Sequence, residues 1–75
     1  MQADKKRLKQ FGENLRRLRK EKDVSQEQLA FDAQLDRSFV GQVERGERNL
    51  SLLNILRLAE ALGIPPEQLF RGGGR

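Results

Sequence analysis

The sequence predicts an all-α fold, and three observations predict it. Apolar residues recur at helical spacing along the whole chain, no stretch alternates apolar and polar residues as a half-buried strand does, and the only prolines, Pro65 and Pro66, are adjacent and close to the C-terminus. The 75 residues include no Cys, His or Trp. That length leaves room for one hydrophobic core, so residues 1–70 are read as a single domain and residues 71–75, Arg-Gly-Gly-Gly-Arg, as a flexible tail.

The elements follow in order. Leu8, Phe11, Leu15 and Leu18 share about 80° of arc at 100° per residue, with Lys5, Lys6, Lys9, Arg16, Arg17 and Lys20 opposite, which makes an amphipathic first helix with a cationic back. Lys22-Asp23-Val24 interrupts it. Ser25 followed three residues later by Gln28 has the form of a capping box, so a second helix begins there with Leu29, Ala30 and Ala33 facing inward. Only Gln34-Leu35-Asp36 separates it from a third helix, Arg37 to about Arg45, for which Asp36 is a competent N-cap. Gly46 stops that helix. Ser51 caps a fourth, with Leu52, Ile55, Leu58, Ala59 and Leu62 as its inner face and Gly63 as its end. Pro66 is placed to open a short fifth helix closed by Leu69 and Phe70.

Composition narrows the function. Without thiol or imidazole, carboxylates alone remain for metal binding or acid/base work, and no constellation of them suggests an enzyme, a metal site or a cofactor. No apolar run approaches the length of a membrane span and no leader is evident, so the expected compartment is the cytoplasm. The charge is uneven: residues 1–22 hold nine Lys/Arg against three Asp/Glu, whereas residues 23–75 hold six against eight. A net charge of +4 concentrated in this way points to a polyanionic partner.

Two helices joined by a tight turn, at about residues 25–45, meet the requirements of a helix-turn-helix. Phe39, Val40 and Val43 share one arc of the second helix of the pair, leaving Arg37, Ser38, Gly41, Gln42 and Arg45 on the other. Arg reads guanine O6 and N7, Gln reads adenine N6 and N7, and Ser serves several base edges, so this arc has the chemistry of major-groove readout. Gly41 would let a backbone approach closely.

Ser25-Gln26-Glu27-Gln28-Leu29-Ala30, Val40 to Val43, Glu44-Arg45-Gly46-Glu47-Arg48-Asn49 and Ala59 to Gly63 together resemble the phage-repressor-type (Xre, lambda-repressor-like) helix-turn-helix family over about residues 8–70. Asp36-Arg37-Ser38-Phe39, Glu44 to Ser51 and Leu53-Asn54-Ile55 are most similar to the controller proteins of restriction-modification systems. The resemblance implies a five-helix domain and a sequence-specific double-stranded DNA-binding transcriptional regulator, acting as a homodimer on a palindromic operator, with RNA polymerase as a further partner. It implies base reading by Arg37, Ser38 and Gln42, backbone or groove-edge contact by Gln26, Arg45, Arg48 and Asn49, and a buried ion pair between Arg19 and Glu44. The cationic back of the first helix adds Arg16 and Lys20 as backbone contacts. Leu53 lies outside the inner arc of the fourth helix and Leu56 at its edge; with Ile64, Leu69 and Phe70 they form the expected dimer interface. A phage or plasmid repressor or an antitoxin would share these residues, and a protein-interaction module of the same fold is the reading from another class.

Four positions depart from the family pattern. Asp23 and Gln34 stand where glycine is usual, so both are expected in left-handed backbone. Pro65 stands in place of a capping residue. Phe31 occupies a normally polar position, where an exposed phenylalanine is one reading and cover by a neighbouring segment the expected one.

Overall fold

The computed structural model describes residues 2–72; residues 73–75, within the stretch read as a tail, lie outside the described residues. Four α-helices and a closing 3-10 helix account for the secondary structure, and no strand occurs among the described residues. They are α1 (Gln2–Glu21), α2 (Gln26–Ala33), α3 (Arg37–Glu44), α4 (Leu52–Leu62) and the 3-10 helix Pro66–Phe70. The expectation of five α-helices is therefore corrected to four. Pro66 opens the last element as read, but Pro65 before it makes no side-chain cap bond and only five residues follow before the chain turns extended at Arg71. Such a length is marginal for an α-helix and suits a 3-10 segment.

The core draws on every helix. Phe11, Leu15 and Leu18 of α1 meet Leu29, Ala30 and Ala33 of α2, Val40 and Val43 of α3, and Leu58, Ala59 and Leu62 of α4, with Leu69 closing the end. Asn14 Nδ2 donates to the Leu69 carbonyl at 3.1 Å, a buried bond between residues 55 apart in the chain. It ties the 3-10 helix to α1, and nothing in the local pattern announced it.

The ends of the helices follow their local chemistry. Ser25 Oγ accepts from the Gln28 N–H at 3.0 Å and Ser51 Oγ from the Asn54 N–H at 3.1 Å, each satisfying a donor that the helix leaves free. The capping box is only half formed, because the Gln28 carboxamide donates forward to Asp32 at 2.9 Å instead of back to Ser25. Asp36 occupies the N-cap of α3 but makes no side-chain cap bond. Asp23 and Gln34 both have φ of 60°, the left-handed backbone expected of them.

Three packing expectations are overturned. Leu52 is 71% exposed, because it is the first residue of α4 and that turn projects past the core. Leu69 is fully buried within the protomer, so it is removed from the dimer surface; Ile64 is half-buried against the same core. Phe31 is 79% exposed on α2, with no segment over it among the described residues.

Candidate nucleic-acid interface

The interface is built on Glu44, the last residue of α3. Arg19 Nε donates to Glu44 Oε2 at 2.6 Å and Arg19 Nη2 to Oε1 at 3.1 Å, a forked pair whose side chains are 9% and 2% exposed. Arg19 Nη1 donates to the Val24 carbonyl at 2.7 Å, and Gln26 Nε2 donates to Glu44 Oε1 at 2.9 Å. One carboxylate thus gathers α1, the lead-in to α2, the first residue of α2 and the end of α3. Every buried side-chain nitrogen and oxygen among the described residues has a partner, so the charges are buried without loss of hydrogen bonds. Gly12 completes the seam: a β-carbon there would run into the carbonyl oxygens of Val43 and Glu44. A glycine inside an amphipathic helix is the signal that reveals such a close approach.

With its C-terminal end fixed, α3 turns its other arc outward. Arg37 and Ser38 are exposed and Gln42 is half-buried. The three share a shallow depression of about 350 Å³ with Gln26, Gly41 and Arg45. At 1.5 Å per residue, the eight residues of α3 are about 12 Å long, the width of the B-DNA major groove. No ion pair involves Arg37 among the described residues, which leaves its planar donor fork available to an acceptor in solvent. Gly41 is buried, and a β-carbon on it would stand 3.3 Å from Arg45 Nη1 and 3.7 Å from Gln26 Oε1. The ends of those two side chains occupy the space beside it.

The remaining residues are distributed around this face. Gln26 projects from the first turn of α2, where free backbone N–H groups favour an anion. Arg45 is exposed and paired with Glu47 at 3.1 Å, and the Arg48 guanidinium lies 5.1 Å from the centre of the Phe39 ring. Asn49 is set apart from them, lining a cleft with Arg7, Leu8 and Leu50. Arg16 and Lys20 are exposed on α1, and Lys20 borders a second depression with Asp23 and Ser25 at the entrance to α2. Away from the face, α4 exposes Leu52, Leu53 (63%) and Leu56 (41%). Phe70 is 62% exposed, although its ring lies 5.3 Å from that of Phe11.

A short helix whose outward arc presents Arg37, Ser38 and Gln42, locked by its C-terminal end to two supporting helices, defines a helix-turn-helix DNA-binding protein. Comparison with known proteins agrees: the helix-turn-helix family pattern matches residues 15–69, and the chain belongs to that family. The restriction-modification controller protein C.AhdI from Aeromonas hydrophila is 62% identical, with a TM-score of 0.83 over 84% of this chain and 96% of its own. Control protein C.BamHI from Bacillus amyloliquefaciens is 45% identical over 60 residues, 79% of this chain and 74% of the relative. The immunity repressor of Bacillus phage phi105 is 42% identical over 53 residues, 71% of this chain but 37% of the repressor. The protein is a DNA-binding transcriptional regulator of the helix-turn-helix family. No helix among the described residues is long and apolar enough to cross a membrane.

Proposed function

We propose that this regulator is the controller of a restriction-modification system, binding a palindromic operator as a homodimer with one α3 in each half-site. The observation that carries the reading is the single depression shared by Arg37, Ser38, Gln42, Gln26 and Arg45. It joins base-reading side chains to the N-terminus of α2. In this arrangement Arg37 and Ser38 meet base edges near the mouth of the groove and Gln42 meets them one turn further in. Gln26 keeps Nε2 on Glu44 and braces a phosphate beside the free N–H groups of α2, so that the phosphate contact and the pose of α3 are set by one network. Arg45, Arg48, Asn49, Arg16 and Lys20 contribute sequence-independent contacts. The similarity to controllers from two organisms supports the controller type over a phage repressor, whose length this chain matches only in part.

The dimer forms through the exposed apolar face of α4, Leu53 and Leu56 joined by Leu52, with Phe70 and the edge of Ile64 beside it. Residues 1–70 act as one unit, non-enzymatic and without a cofactor; the cytoplasmic location follows from the DNA partner, and RNA polymerase is the second macromolecule such a regulator addresses.

The test is binding of folded Arg37→Ala to a randomised operator library. The substitution is expected to cost about 1–3 kcal/mol at the preferred operator and to relax one base position, with non-specific binding little changed. Unchanged preference and affinity would show that α3 does not read the groove.

A further inference from the structure

We propose that a ridge of cations along α1, formed by Lys5, Lys9, Arg16 and Lys20, holds the phosphate backbone of the duplex that flanks the operator half-site. The inference rests on the reading of α3 as the groove helix and extends the contact beyond it. At 100° per residue the four side chains fall within about 60° of arc on the 20-residue helix. From Lys5 to Lys20 the ridge rises about 22 Å.

Its position follows from the seam beside it. The adjoining arc of α1 carries Gly12 and Arg19, the residues that meet the Val43 and Glu44 carbonyls and the Glu44 carboxylate. Further toward the N-terminus, Gly46 has φ of 77°, and a β-carbon on it would lie 2.7 Å from Lys9 Cα. The loop that leaves α3 is therefore laid directly on α1 at Lys9. At the other end, Lys20 borders the depression at the entrance to α2. The ridge is the solvent side of the α1 and α3 seam, running from the loop after the reading helix to the N-terminus of the phosphate-bracing one.

Its charges are free to act. All four residues are exposed, and none belongs to an ion pair among the described residues. Two cations on other arcs of the same helix are engaged: Arg7 lies 3.8 Å from Asp4, and Arg17 pairs with Glu21 at 3.3 Å and donates to the Arg71 carbonyl. Lys6 is exposed beside Lys5 and Lys9 and adds to the N-terminal end of the ridge. Glu13 is the carboxylate of α1 nearest the ridge, about 20° beyond its edge, and Asp23 shares the depression that Lys20 borders. A line of cations about 22 Å long exceeds any small anion and can lie along several phosphates of a duplex backbone. Lys5 and Lys9 lie before the stretch 15–69 that the family pattern matches.

The experiment compares fluorescence anisotropy of the minimal operator with that of the same operator lengthened at both ends, over a range of salt, for the parent chain, Lys5→Gln/Lys9→Gln, and the equal-charge control Arg7→Gln/Arg17→Gln. The parent is expected to gain affinity from the flanks. Lys5→Gln/Lys9→Gln loses that gain and about 1.8 units of log-log salt slope, so a fourfold rise in salt removes about tenfold less affinity from it than from the parent. Its operator preference stays intact, and the control keeps the flank-dependent gain. Flanks that add nothing to the parent, or equal losses in both variants, would overturn the ridge and leave only general charge attraction. A parent that fails to distinguish operator from scrambled duplex would instead sink the groove reading on which the ridge rests.

Discussion

Two regions of this protein invert the usual distribution of polar and apolar groups, and they do so in opposite ways. Between α1 and α3, Arg19 and Glu44 place two formal charges where water is excluded; on α4, Leu52, Leu53 and Leu56 place three leucines in solvent. The first inversion is resolved inside the protomer, since the Arg19 fork, the Val24 carbonyl and the Gln26 carboxamide leave no buried polar atom without a partner. The second has no resolution inside the protomer, and burial of the part of each leucine that is still exposed is worth about 1–2 kcal/mol. A buried charge pair thus marks internal positioning, whereas an exposed apolar stripe marks an unfinished surface.

The contrast is broken most severely at Glu44. Glu44→Ala strands the Arg19 guanidinium in the seam and is expected to cost about 3–5 kcal/mol in urea unfolding. Joint replacement by Arg19→Met and Glu44→Leu should recover most of that stability while leaving DNA binding impaired, because the pair sets the pose of α3. Full activity in the double variant would reduce the pair to a matter of stability alone.

A smaller effect is expected on α4. Leu53→Glu should leave the protomer's unfolding free energy within about 0.5 kcal/mol, since the side chain makes no core contact. Sedimentation equilibrium should show the dimer dissociation constant raised about a hundredfold, because a two-fold interface receives the charge twice. An unchanged constant would remove this patch from the interface. The mildest test separates folding from pairing on the same helix: Ser51→Ala removes the cap of α4 and is expected to cost about 1 kcal/mol in thermal unfolding, with dimer affinity of the folded protein preserved. Coupled loss of both would mean that α4 is ordered only in the dimer.

Much of the fold was legible because helix ends are local events. Ser25 and Ser51 each bond an N–H three residues away, and Asp23 and Gln34 take the left-handed backbone that the chain reversals at those points demand. The outward arc of α3 was legible to a similar degree, since Arg37, Ser38 and Gln42 share it by periodicity alone and line one depression; that they read bases there is the proposal that Arg37→Ala tests. Reading failed where a residue's fate depends on a distant element. Leu52 has the periodicity of a core position but sits on a turn that overruns its partners, and Leu69 looks like spare apolar surface until Asn14, 55 residues away, draws its strand of chain onto α1.

The class of fold, the placement of the four α-helices, the cationic character of α1 and the arc of α3 that faces outward are written locally in the amino-acid sequence, because caps, turns and amphipathic periodicity act within a single helix and its ends. Only the tertiary structure decided how deeply each arc is buried, that the last element is a 3-10 helix pinned by Asn14, and that Gln26 shares Glu44 with Arg19. It also decided that Gly46 lays the loop after α3 against Lys9. Those outcomes depend on close packing between segments far apart in the chain, where an added β-carbon or an unpaired charge costs more free energy than any local preference contributes.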